Sequence, residues 1–266
     1  MLFGLAVTTA AYALSVRSSR IAPDDDVSPW FRNHRMRPVF FGAGIVVGFI
    51  ALQSPIDVGG DRYLFSLHML QHLLLMMVAP PLVLLGICGM RPPERGFAAL
   101  RKAWWAITRP IPAGVLFNAI MLVWHIPALY DTTLTVEPVH VLEHLTFIGA
   151  GIVFWWPVVD PIRGPRTVTV TPLTKIALLV VSGIPPTVLG LIFALSRAPF
   201  YGFYVIAPRL WGLTPVADQQ IGGVLMLGLG NIIYFVAIVV IFMRLLGDAA
   251  SDERDAAQAA RGAVSG

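Results

Sequence analysis

The chain has 266 residues, 56% hydrophobic and 13% charged, with one cysteine and a formal net charge of +4. Soluble domains carry about 25% charged residues, so this composition excludes an ordinary soluble fold, and the lone cysteine excludes a disulfide scaffold or a CxxC metal or redox motif. The positive balance alone would suit nucleic acid, but the long apolar runs argue against it and point to membrane helices of about 20 residues each.

Seven spans are predicted, at 2–16, 38–54, 66–86, 111–129, 139–158, 173–195 and 219–246. The first is short, with no basic residue before it and arginines after it, so an outside-facing anchor is expected rather than a cleaved leader. No soluble domain fits in the gaps. Residues 1–246 read as one polytopic all-α transmembrane bundle, and 247–266, polar and rich in small residues, as a disordered or loosely helical cytoplasmic tail.

Lys and Arg set the orientation. Sixteen of the nineteen basic residues fall in the loops after the first, third and fifth spans and in the C-terminal end; only Arg62, Arg197 and Arg209 lie on the other side. The N-terminus is therefore expected outside and the C-terminus in the cytoplasm. That topology gathers five of the six histidines at one depth. His68 and His72 open the third span ("HMLQH"), His125 ends the fourth ("WHIP"), and His140 and His144 open the fifth ("HVLEH"). All five lie within roughly 10 Å of the outer interface at 1.5 Å per residue. His34 alone is on the cytoplasmic side.

A single histidine at a helix end is ordinarily an interfacial polar residue. Five at one depth on three helices are a different matter, because polar groups inside a bilayer are costly and functional. Imidazole is the commonest protein metal ligand, and an i, i+4 pair offers two nitrogens from one helix face. Two such pairs plus His125 could surround one ion or two. Gln71 and Glu143, each three residues after the first histidine of its pair, could orient a ring nitrogen. Met69 and Met76 continue the stripe. Thioether with imidazole suits Cu(I), although such methionines are ordinary helix contacts elsewhere. Asp218, with Gln219 and Gln220, opens the last span and either faces the histidines or caps the helix.

Three rival readings remain. "HVLEH" fits the inverted zinc-peptidase pattern HxxEH, with Glu143 as base, but the first pair has Gln71 in that place, which is no base. Bis-histidine haem would use one histidine of each pair and need room for a macrocycle, which Gly149 and Gly151 could provide. A metal-free scaffold would use none of the imidazoles as ligands. Elsewhere, "APP" at Pro80–Pro81 and "IPP" at Pro185–Pro186 break backbone hydrogen bonds and either kink their helices or line a cavity. Phe200, Tyr201, Phe203, Tyr204 and Trp211 suggest an interfacial or partner-docking loop. Cys88 reads as a buried spacer.

The blocks "FSLHMLQHLLLMMVAPPLVLLG", "WHIPALYD", "HVLEHLTFIGAGIVFWW", "PPTVLGLIFALSRAPFYGFY" and "ADQQIGG" occur in the order seen in the polytopic CtaG family of cytochrome c oxidase assembly factors. The chain resembles that family over roughly residues 38–246. The resemblance implies a bacterial cytoplasmic-membrane protein, not an enzyme in the turnover sense, that works with haem–copper oxidase subunits. Its implied task is to deliver copper to the Cu-A centre of subunit II. Carried onto this chain, the motif positions are His68, His72, His125, His140 and His144.

Overall fold

The computed structural model describes residues 36–89, 98–162 and 170–264, all helix, turn and loop, with no strand among them. The first expected span, 2–16, lies outside the described residues.

The helices in chain order are α1 (Arg37–Gln53), α2 (Pro55–Arg62), α3 (Phe65–Gly86), α4 (Ala98–Ile107), α5 (Pro110–Trp124), α6 (Pro127–Thr133), α7 (Glu137–Val159), α8 (Pro172–Leu195) and α9 (Gly202–Ile206). The last, α10, runs through Pro215–Leu225, Met226–Gly230 and Asn231–Val264. Four helices, α3, α7, α8 and α10, are long and apolar enough to cross a membrane, and α1–α2 and α4–α5 raise this to six if each bent pair is one span. Helix α10 continues through Gly247, so the polar tail begins inside helical structure.

Proline sets most of the starts. Pro38, Pro55, Pro110, Pro127, Pro138, Pro172 and Pro215 sit in the first turns of their helices, where a missing N–H costs nothing. Pro127 also corrects the expected 111–129 span. It holds Ile126 extended (φ −64°, ψ 124°), so α5 stops at Trp124 and His125 becomes its C-cap. The α1–α2 pair bends by 40° at Ser54, whose Oγ accepts from Ile56 N and restarts the helix.

Helices α3, α7, α5, α8 and α10 form a closed ring in which each touches the next and α10 returns to α3; α1 lies outside against the second half of α3. Small residues allow the closest approaches, as expected between membrane helices. A Cβ on Gly151 of α7 would sit 2.7 Å from the Met76 carbonyl oxygen and from Pro80 of α3. Gly223 of α10 faces Gly190 and Ala194 of α8 in the same way. Glycine 151 therefore admits a neighbouring helix, not a macrocycle. The break expected at Pro80–Pro81 is absorbed by a π-helical turn at Leu74–Val78, where Ala79 N–H reaches the Leu74 carbonyl. A second π turn occupies Met226–Gly230 of α10.

Candidate metal centre

The first turns of α3 and α7 and the last residue of the α5 segment meet at one end of the ring. His68, His72, Gln71, His125, Glu143 and His144 are all buried there. The histidine rings crowd together: centroids are 4.2 Å apart for His68–His72 and for His140–His144, 5.6 Å for His68–His140, 5.9 Å for His72–His144 and 6.1 Å for His72–His125.

Within this crowd one set is tighter. His68, His72, Glu143 and His144 each offer one ligand atom, and these four atoms lie within 4.8 Å of one another. Glu143 is central: Oε2 is 3.8 Å from His68 Nε2 and Oε1 is 3.7 Å from His72 Nε2. Two ligands at about 2 Å from one ion are at most about 4 Å apart, so these pairs already have chelating separations. The Nε2 atoms of the three histidines and both Glu143 oxygens are buried and make no hydrogen bond to protein. Groups of this kind are ordinarily satisfied when buried, and an unpaired buried carboxylate is particularly costly. A cation among three imidazoles and a carboxylate resolves both problems at once.

The tautomer of His68 follows from its other neighbour. Tyr204 Oη is 2.7 Å from the Gly60 carbonyl oxygen, which can only accept, so the phenol donates there. The same oxygen is 3.1 Å from His68 Nδ1 and must accept from it. The proton is thus on Nδ1, and the Nε2 lone pair faces Glu143. Burial pushes the Tyr204 hydroxyl well above the usual phenol range, so it stays a neutral donor.

The remaining expected residues divide. His140 stands at the rim with Nε2 3.4 Å from Asp61 Oδ1. His125 turns to the opposite side of His72, where its Nε2 is 3.4 Å from Met69 Sδ. Glu143, read from the sequence as an orienting residue, stands in the ligand set itself. Gln71 faces away: its amide donates to the Ala51 carbonyl (2.9 Å) and to Asp57 Oδ1 (2.6 Å) and ties α3 to the α1–α2 bend. Asp218 takes neither expected role: Thr214 caps its own helix, and Asp218 reaches across to the start of α3, where it accepts from Phe65 N (2.6 Å), Ser66 N (3.1 Å) and Ser66 Oγ (2.5 Å). Met76 lines a cavity behind His72. Cys88 lies two residues beyond the end of α3, fully buried, and burial pushes its thiol up to about 12.

The aromatic loop needs a correction. Trp211 is 78% exposed, as an interfacial residue would be, but Tyr201 and Tyr204 turn inward and are only 2% and 3% exposed. Tyr201 stacks on Phe65 and Tyr130, and Tyr204 meets Phe65 edge to face, beside His68. Asp131 holds this loop by accepting from Gly202 N and Phe203 N. Tyr130 was not singled out in the sequence, and Tyr204 was read there only as part of an interfacial or docking loop.

The class is thus a polytopic helical membrane protein with a buried three-histidine, one-carboxylate centre at one end of its ring. The chain matches the family described as cytochrome c oxidase caa3 assembly factor (Caa3_CtaG) over residues 10–248, and it belongs to that family. It is similar to the uncharacterized protein Mb0105 of Mycobacterium bovis and the uncharacterized protein MT0111 of Mycobacterium tuberculosis. Each is 26% identical over an alignment of 192 residues that covers 60% of this chain. The chain spans about a quarter (26%) of the length of these curated relatives. No solved structure matches it.

Proposed function

We propose that this assembly factor holds copper at His68, His72, Glu143 and His144 and passes it to the Cu-A centre of oxidase subunit II, on the outer face of a bacterial cytoplasmic membrane. The observation that carries the reading is the set of four ligand atoms within 4.8 Å of one another, buried without protein partners. The distribution of basic residues supports an outward-facing site, where a Cu-A centre would receive its metal. His140 and Asp61 at the rim offer an incoming cation a first contact.

Haem is disfavoured by the space available. Glu143 stands 3.8 and 3.7 Å from the His68 and His72 Nε2 atoms, and α7 approaches α3 at Gly151 too closely for even a Cβ, so a macrocycle has no slot between these two helices. A metal-free scaffold leaves the buried nitrogens and carboxylate unsatisfied.

The test compares wild type with a His72→Ala/His144→Ala variant in cells. Oxidase activity is expected to fall while the protein remains in the membrane, and added copper should restore part of it, because occupancy of a weakened site rises with free metal. The purified wild-type protein should carry copper and show no Soret band. Full oxidase activity in the double variant sinks the copper-delivery reading.

A further inference from the structure

Behind His72 the ring of helices lines a partly open cavity of about 40 Å³. Its wall is unusual in composition. Of the nine methionines in the chain, five line it: Met69, Met76 and Met77 from α3, Met121 from α5 and Met226 from α10. His125 joins them from the end of α5. Scattered methionines are ordinary core filler. Here five from three helices line one cavity together with two buried imidazoles, His72 and His125.

His125 Nδ1 is 2.7 Å from the Met121 carbonyl oxygen. A carbonyl has no proton to give, so Nδ1 carries the hydrogen and Nε2 of the neutral ring carries a lone pair. That lone pair faces Met69 Sδ at 3.4 Å. The thioether sulphur has no proton either. Two Lewis bases therefore face each other in an apolar cavity with nothing to share. A cation bound by both resolves this. Metal–nitrogen and metal–sulphur bonds of about 2.0 and 2.3 Å, the lengths seen for zinc, span that gap at close to the tetrahedral angle.

Donor type then selects the ion. Imidazole and thioether without a carboxylate is a soft set that favours Cu(I) over hard or borderline divalent ions. The His68–His72–Glu143–His144 set includes a hard oxygen and favours a divalent ion. Both π turns adjoin the cavity and supply three of its five methionines: Met76 and Met77 lie in Leu74–Val78, and Met226 opens Met226–Gly230. Such turns occur preferentially at functional sites.

We propose that His125, Met69 and the neighbouring methionines form a second metal site, separate from the carboxylate-containing centre and specific for a monovalent soft cation, Cu(I) or its redox-inert mimic Ag(I). The site deepens the copper-handling reading and rests on it for its biological cargo. Its chemistry is independently measurable. His72 stands between the two sites, its ring 6.1 Å from that of His125.

The experiment titrates the purified full-length protein in detergent with Ag(I) against a chromophoric competitor, and separately with Zn(II) as the divalent probe. A Met69→Leu/Met226→Leu variant is nearly volume-conserving and suits a packed interior. It should lose one equivalent of Ag(I), or bind it at least tenfold more weakly, with Zn(II) binding unchanged. A His68→Ala/His144→Ala variant should do the reverse. Full Ag(I) binding by the methionine variant overturns the site, and so does joint loss of both metals, because it denies that the two are separate. X-ray absorption on wild-type protein loaded with Ag(I) gives an answer that needs no variant: sulphur neighbours are expected, and a shell of nitrogen and oxygen alone overturns the site. Absence of Zn(II) binding in wild type, with Ag(I) bound through sulphur, counts against the carboxylate-containing centre and leaves this site standing.

Discussion

Tyr204 shows how one phenol can set the chemistry of an imidazole without touching a ligand atom. It donates to Gly60 and accepts from His68 Nδ1, which leaves Nε2 free to bind. Partners of this kind fix ring orientation, and losing one typically weakens metal binding by about 10- to 100-fold. Tyr204→Phe keeps the ring that covers Phe65 and removes only the hydroxyl. Zn(II) affinity of the purified protein should fall by that factor, with stability to thermal unfolding lowered only modestly, by about 1–3 kcal/mol for an unpaired buried polar group. Unchanged affinity would show that the bond does not orient His68.

At the scale of elements, the close approach of α7 to α3 positions Glu143 and His144 against His68 and His72. Gly151 permits it, with the Met76 carbonyl and Pro80 where a side chain would begin. Gly149, two residues earlier, has nothing within 4 Å of the equivalent position. Gly151→Ala must therefore push two backbones apart, at a cost of about 1–3 kcal/mol for overpacking. Gly149→Ala should cost nothing and stiffen the helix slightly. Thermal unfolding in detergent should show the first variant clearly below the second. Equal midpoints would mean that the two helices slide at little expense.

For the whole molecule, the ring places the α8–α10 loop over the histidines, through Tyr204 on His68 and Asp218 on the start of α3. The site faces whichever side that loop faces. A reporter inserted between residues 197 and 218 should behave as external, and one fused after Gly247 as cytoplasmic. The reverse pair of results would put the centre on the cytoplasmic side and remove its access to Cu-A.

Much of the helical plan is readable without coordinates, because apolar runs and helix-starting prolines are local signals. Six of the predicted spans correspond to observed helices, and the exception in detail, 111–129, ends early at a proline that was visible in the sequence. The convergence of His68, His72, His125, His140 and His144 also follows from local facts, since charge bias orders the helices and places those residues at one depth. Rotation of each helix about its axis is a different kind of quantity. It depends on which faces meet, and only the closed ring decides that. The ring moves Glu143 in among the histidines, leaves Gln71 on α1 and Asp57, turns His125 toward methionine, and folds Tyr201 and Tyr204 inward. A helix face is a local property, but a ligand set is made where several faces meet, so its membership belongs to the tertiary structure.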